Sequence, residues 1–226
     1  MNRDPNIVSV ELVARALGSL TNDLVLVGGC AVGLLITDTA GPPIRATQDV
    51  DLVAEVATLG DYYKLTDQLK ERGFREQGDI ICRWCKGPLI VDVMPTTELL
   101  GFANSWYPLA IQDARQYRFQ DGQTINVISA PLFVATKLES FNGRGNGEYG
   151  HHDIEDIISL VDGRPELRSE IEQCDEVVRA FVRQEVDDLL ADAAFVEHLP
   201  WHLHPDQASQ ARLPLIIERL RILAGL

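Results

Sequence analysis

The run TQDVDLVAEV, residues 47–56, sets two aspartates, Asp49 and Asp51, one residue apart at the entry to an apolar, β-branched stretch. A run of that composition predicts a core strand. In a strand, residues two apart face the same side, so both carboxylates project together. Two ionised carboxylates so close repel, and burying them unpaired is costly. Something positive must sit between them. A divalent cation answers that requirement, because magnesium takes hard oxygen ligands, commonly one or two carboxylates with substrate phosphates.

Asp92 poses the same problem, since it interrupts the apolar run PLIVDVMP. If that strand lies next to the first, all three acids can converge on one or two metal ions. The plainer alternative for Asp49 and Asp51 is a polar strand entry with both acids in solvent.

The remaining chain is mixed α/β first and helical second. VSVELVARALGSL has helical spacing, with Val10, Val13, Leu17 and Leu20 on one stripe. DLVLVGG predicts a short buried strand ending in a glycine turn, and CAVGLLITD a short buried helix stopped by Gly41, Pro42 and Pro43. DYYKLTDQLKERG predicts an amphipathic helix with a glycine stop. IICRWCKG and LIVDVMP are strand candidates. After an irregular aromatic stretch, RQYRFQ and QTINVIS form a predicted hairpin about Asp121 and Gly122. From Pro131 the pattern is helical, through PLFVATKLESF, the glycine-rich connector NGRGNGEYG, HHDIEDIISLVDG and further helices. The expected division is a mixed-sheet core over residues 1–130 and a helical region over 131–226, packed on the core.

With 226 residues, 46% of them hydrophobic, the chain can fill a real core. Its net charge of −14 argues against a broad basic surface, so any nucleic-acid contact is expected to be focal, with Arg115, Arg118 and Arg144 as local candidates. No charged leader precedes an apolar segment, and no apolar stretch approaches the roughly 20 residues that cross a bilayer, which predicts a cytoplasmic protein without membrane contact. Four cysteines without an export signal fit a reduced compartment. Cys82 and Cys85 form a lone CxxC in a predicted strand, where the thiols point to opposite faces, so neither a metal nor a redox role is expected.

VGGCAVGLL followed by RATQDVDLV resembles the motif of the DNA polymerase beta nucleotidyltransferase superfamily, in which a glycine pair begins a helix and a DxD follows on the next strand. Asp92 in VDVMP matches that family's third acid. The lysine-bearing PLFVATKLESF and the HHDIEDIISL helix start sharpen the resemblance toward AbiEii-like nucleotidyltransferases, the toxin half of bacterial toxin–antitoxin systems. The resemblance spans about residues 25–163. Two positions depart from it. Gly28-Gly29 replaces a Gly-Ser turn, leaving phosphate contact to backbone N–H groups, and His152 stands where a lysine is frequent, so the charge there depends on pH.

The resemblance implies a small mixed sheet flanked by helices, with a helical C-terminal part, and transfer of a nucleoside monophosphate from an NTP to an acceptor. Asp49 and Asp51 would hold Mg2+ (or Mn2+) against the triphosphate, and Asp92 would hold the second ion and help activate the acceptor hydroxyl. Gly28 and Gly29 would offer N–H groups to phosphate. Lys137 and Arg45 would neutralise charge on the transferred group, and Asp153 would help place the lysine or the acceptor. The implied acceptor is an RNA, such as the 3′ end of tRNA, with an antitoxin protein as partner. A small molecule, as in antibiotic-modifying members of the superfamily, is the alternative; a fold retained only for binding a nucleotide or partner is the other.

Plainer readings accompany several of these positions. Gly28-Gly29 also fits a simple tight turn; a Rossmann fingerprint fits poorly, because the spacing is GGxxxG. Asp153 and Asp156 fit an N-cap and first-turn acid, and Lys137 fits a solvated helix lysine. His198, His202 and His204 are expected in a surface loop, with Pro200 breaking any shared helical register.

Overall fold

The computed structural model describes residues 4–38, 43–78, 80–101, 103–145 and 147–226. Gly41 and Pro42, expected to stop the second helix, lie outside the described residues, as does Asn146 of the glycine-rich connector. The chain forms two compact units.

Pro5–Leu34 and Ala46–Ser129 make the sheet unit. Its strands are β1 (Leu24–Leu26), β2 (Val50–Ala54), β3 (Arg75–Glu76), β4 (Arg83–Lys86), β5 (Leu89–Pro95), β6 (Arg115–Arg118) and β7 (Thr124–Val127). They lie in the order β3-β4-β5-β2-β1-β7-β6. The sheet is mixed: β2 runs parallel to β5 and β1 to β7, while the other pairs are antiparallel. It matches the mixed sheet with flanking helices expected from the sequence.

Helix α1 (Ile7–Leu17) buries Val10, Val13 and Leu17 of the predicted stripe together with Ala14, and packs on β2 and β5, while Leu20 of that stripe is buried in the 3-10 segment that follows, Gly18–Asp23. The predicted second helix is a 3-10 turn, Gly29–Ala31, continued by one α turn, α2 (Val32–Leu35). Helix α3 (Leu59–Glu71) begins at Thr58, whose hydroxyl accepts from the Asp61 N–H at 3.2 Å and donates to its carboxylate at 2.7 Å. That reciprocal cap satisfies a donor the first turn cannot. The aromatic stretch expected to be irregular contains α4 (Tyr107–Gln112), with a proline in its first turn, where the missing N–H costs nothing. The β6–β7 hairpin turns at Asp121 and Gly122 as predicted, with Gly122 at φ 90°.

The helical unit comprises Leu35–Arg45 and Ala130–Leu226, with the N-terminal residues to Asp4. Its helices are α5 (Ala130–Arg144), α6 (His152–Gly163), α7 (Leu167–Gln173), α8 (Glu176–Ala191), α9 (Ala193–His198), α10 (Gln207–Gln210) and α11 (Leu213–Ala224). Every residue of α5 from Ala130 to Leu138 is buried, so the helix is enclosed on all sides by its neighbours, α6, α7 and α8 among them. The segment from Leu35 is tied to the end of α6: Thr37 and Asp38 donate their N–H groups to Gly163 O at 3.0 and 2.9 Å. A Cβ on Gly163 would lie 2.8 Å from Cγ1 of Ile36, so glycine permits this approach. Among the described residues no helix is long and apolar enough to cross a membrane.

Candidate active site

Parallel pairing of β2 with β5 sets Asp51 directly beside Asp92, and antiparallel pairing of β5 with β4 sets Arg83 on the other side of Asp92. Registered neighbours point to one face of a sheet, so Arg83, Asp92 and Asp51 form a row across three strands. Asp49 lies in a bend just before β2, rather than within the strand as expected. The expected adjacency of the two acid-bearing segments is present, and an arginine stands beside them.

Arg83 is bound to two of the acids. Its Nε donates to Asp92 Oδ1 at 2.7 Å and its Nη2 to Asp92 Oδ2 at 2.7 Å, a bidentate fork. The same Nη2 donates to Asp49 Oδ2 at 2.6 Å. Charge-assisted, two-point bonds of this kind are the strong ones. The Asp92 bonds, ahead of the other acids, hold the guanidinium above its already high pKa, so it is charged at every working pH. The positive group the paired carboxylates demanded is supplied, at least in part, by the chain.

Cys82, next to Arg83, has φ 71°, the only positive φ among described residues other than glycine. Backbone bonds hold it there: Cys82 O accepts from Val93 N–H at 2.9 Å, and Arg83 O from Gln77 N–H at 3.0 Å. The expected strand therefore starts pairing only at Arg83. Burial, with Asp92 and Asp51 adding to it, pushes the Cys82 thiol up to about 12, so it stays protonated and unreactive. Among the described residues no disulfide joins the cysteines.

Gly28 has φ 65° and ψ −166°, a conformation side chains resist. A Cβ there would also fall 2.6 Å from Cγ and 2.8 Å from Cβ of Asp51. The glycine is thus more than a turn former: it leaves the room in which the Asp51 carboxylate sits. The helix that follows is short, so the N–H groups at Gly28 and Gly29 belong to a turn and gain little from a helix dipole.

Lys137, Asp153 and Arg45 belong to the helical unit. Lys137 is buried, its Nζ 3.0 Å from Asp153 Oδ1 and 2.7 Å from Asp156 Oδ2. Burial works against its charge, but Asp156 and Asp153 prevail and raise its pKa. It is not a solvated helix lysine. Asp153, fully buried, also accepts from Arg144 Nε and Nη2 at 2.9 Å each. Burial opposes its charge, yet the Arg144 bonds and the Lys137 charge bring it down to about 2. Asp156 is shared with Arg45, whose Nη2 lies 3.2 Å from Oδ2. The N-cap of α6 is His151, whose Nδ1 accepts from the Asp153 N–H at 3.2 Å, so neither acid caps the helix. Burial holds the His152 pKa below its ordinary value, against the pull of Asp153.

The donor chemistry of Asp49, Asp51 and Asp92 suits a hard divalent ion, although Arg83 already occupies three of their oxygens. Among the described residues, one set of three ligand atoms from His, Cys, Asp or Glu lies mutually within 4.8 Å, that of His151, His152 and Asp153. It fits a metal poorly, because Asp153 carries two resident cations and His151 caps the helix. Of the other histidines, His202 ends a 3-10 helix, Leu199–His202, and is bonded to Tyr149 O at 2.7 Å, so the expected loop is partly ordered as helix.

No protein-family model matches the chain, and no curated protein matches it. Among solved structures it is similar to an antigenic nucleotidyltransferase-like protein from Paracoccidioides brasiliensis, at 27% identity over 83% of this chain and 90% of that one, with a TM-score of 0.48. The antibiotic-resistance factor ANT(2'')-Ia matches at 15% identity over 82% of this chain and 97% of its own, with a TM-score of 0.46. JHP933 from Helicobacter pylori matches at 13% identity over 100% of this chain and 92% of its own, also at 0.46. Likenesses this distant leave the chemistry to be argued from the residues.

The residue missed in the sequence was Arg83. Its signal was present: Gly87 and Pro88 form a two-residue hairpin loop, and counting outward from it pairs position 83 with position 92.

Proposed function

We propose that the chain is a divalent-metal-dependent nucleotidyltransferase that moves a nucleoside monophosphate from an NTP to an acceptor hydroxyl. The observation that supports it best is the side-by-side placement of Asp51 and Asp92 on parallel strands, with Asp49 two residues ahead and Gly28 cut back to admit the Asp51 carboxylate. Asp49, Asp51 and Asp92 would hold Mg2+ or Mn2+. When bound, such an ion neutralises triphosphate charge and favours the attacking hydroxyl. The chain's own part is positioning. Strand pairing fixes the spacing of Asp51 and Asp92, the turn at Gly28 and Gly29 would offer backbone N–H groups to phosphate, and Asp92 would orient the acceptor hydroxyl. In this reading Lys137 and Arg144 tie α5 to Asp153 and Asp156 at the start of α6, and Arg45 adds a further pair to Asp156.

For the acceptor we propose an RNA 3′ end, within a toxin whose partner is an antitoxin, on the motif resemblance alone. A small hydroxylated acceptor is the second reading, and one observation favours it: Arg144 is spent on Asp153 and Arg115 lies 3.5 Å from Asp113, so two of the three arginines considered for RNA already have acidic partners. Incubation with α-labelled NTPs, Mg2+ and either tRNA or a panel of hydroxylated antibiotics tests the proposal. Label carried onto an acceptor supports transfer and tells the two readings apart. Metal-dependent NTP binding with no transfer to any acceptor points instead to a binding module.

A further inference from the structure

We propose that Arg83 is a resident counter-cation of the acid row, which a divalent ion must displace from Asp49 and Asp92 in order to bind. The inference rests on the metal-dependent reading above and deepens it by naming the group that sets the ion's affinity.

Three observations carry it. The guanidinium bonds both oxygens of Asp92 and one of Asp49, half of the carboxylate oxygens the row could offer an ion. Its place is built into the fold, because the Gly87–Pro88 hairpin fixes the pairing of Arg83 with Asp92. The neighbouring Cys82 is held at φ 71° by hydrogen bonds on both sides of the residue pair. Strained backbone of this kind persists where the surroundings over-determine it, often at functional sites. A side chain merely resting on a surface acid would need none of this.

The physical consequence is competition. Three carboxylates carry three negative charges, and without a cation they would repel across adjacent strands. Arg83 relieves that repulsion and keeps the metal-free row folded. It cannot be discharged by raising the pH, since arginine remains protonated, so near neutral pH the acids are released when another cation takes its place. An entering ion must break short, charge-assisted bonds that water competes for poorly at a part-buried site. The displaced guanidinium then requires a new anionic partner, and a triphosphate supplies one, because arginine pairs with phosphate oxygens as readily as with carboxylates. Ion and nucleotide should therefore bind with positive coupling, each lowering the cost of the other.

The test is Mn2+ binding, read by electron paramagnetic resonance, with and without a non-hydrolysable NTP, on the natural chain, Arg83→Gln and Arg83→Lys, each checked for folding by circular dichroism. Without nucleotide, Arg83→Gln should bind Mn2+ about tenfold tighter than the natural chain and lose most of the nucleotide-induced gain; a tenfold change is within the usual range of site coupling. Arg83→Lys, which keeps the charge without the fork, should fall between and remain folded if Arg83→Gln does not. Equal or weaker Mn2+ binding in the variants would overturn the competition while leaving the metal site in place. Absence of Mn2+ binding in every form would overturn both the competition and the metal-dependent reading.

Discussion

The Asp51 carboxylate occupies the space that a side chain on Gly28 would fill: a Cβ there would come within 2.6 Å of its Cγ. Gly28 also has φ 65°, so the position is closed to other residues on two independent grounds. Gly28→Ala should cost about 1–3 kcal/mol from backbone strain alone. It should also push Asp51 out of register with Asp92. Urea denaturation reads the first effect and Mn2+ titration the second; a variant of natural stability and natural ion affinity would contradict the packing account.

Lys137 tests a different part of the argument. It neutralises Asp153 and Asp156 inside the helical unit, where little water reaches. Replacing it by methionine keeps the volume and removes the charge, which leaves buried carboxylates short of a partner. Breaking a buried pair in this way costs about 3–5 kcal/mol, and the lower end is expected here because Arg144 and Arg45 remain. A loss below 1 kcal/mol in equilibrium unfolding would show that the lysine is not needed to hold α5 and α6 together.

Acid should weaken the same cluster. Asp153 is brought down to about 2 in the folded chain by Arg144 and Lys137, in spite of its burial. Its unfolded value lies near 3.9, so the unfolded state takes up the proton first as pH falls. The stabilisation, about 2 kcal/mol, is fully present above pH 4–5 and is lost as pH drops toward 2. Unfolding curves at pH 5 and pH 2.5 should show that loss, and Asp153→Asn should flatten it.

Cys82 offers a check on the strand that carries Arg83. Its φ of 71° is hardest on β-branched residues. Cys82→Val is expected to destabilise by about 1–3 kcal/mol, whereas the usual swap of a half-buried cysteine for valine is mild. A neutral result in thermal unfolding would mean that the left-handed turn is not enforced by its surroundings.

Much of the candidate site was legible in the sequence because Asp51 and Asp92 lie on regular strands. Asp51 and Asp92 interrupt apolar strands, and a charge in such a run demands a reason wherever the strand is placed. The glycine pair and the Asp121-Gly122 hairpin were readable as backbone chemistry. Arg83 is legible only by counting outward from the Gly87–Pro88 hairpin, since an arginine in a strand is commonplace and the cross-strand register alone gives it meaning. In the sequence Lys137 also fits a solvated lysine, although its neighbours Leu132, Phe133, Val134 and Leu138 leave it no polar face to share. The excursion of Leu35–Arg45 into the helical unit had no local signal, because it depends on Gly163 admitting Ile36 across a separation of more than a hundred residues.

The central claim is that the acid row binds a divalent ion on behalf of a nucleotide, and Mn2+-dependent NTP binding in the natural chain and in Asp51→Asn tests it most directly. The account predicts NTP retention that requires Mn2+ and falls at least about tenfold in Asp51→Asn, with the fold intact by circular dichroism. NTP binding that is indifferent to Mn2+, or unchanged in Asp51→Asn, would contradict it.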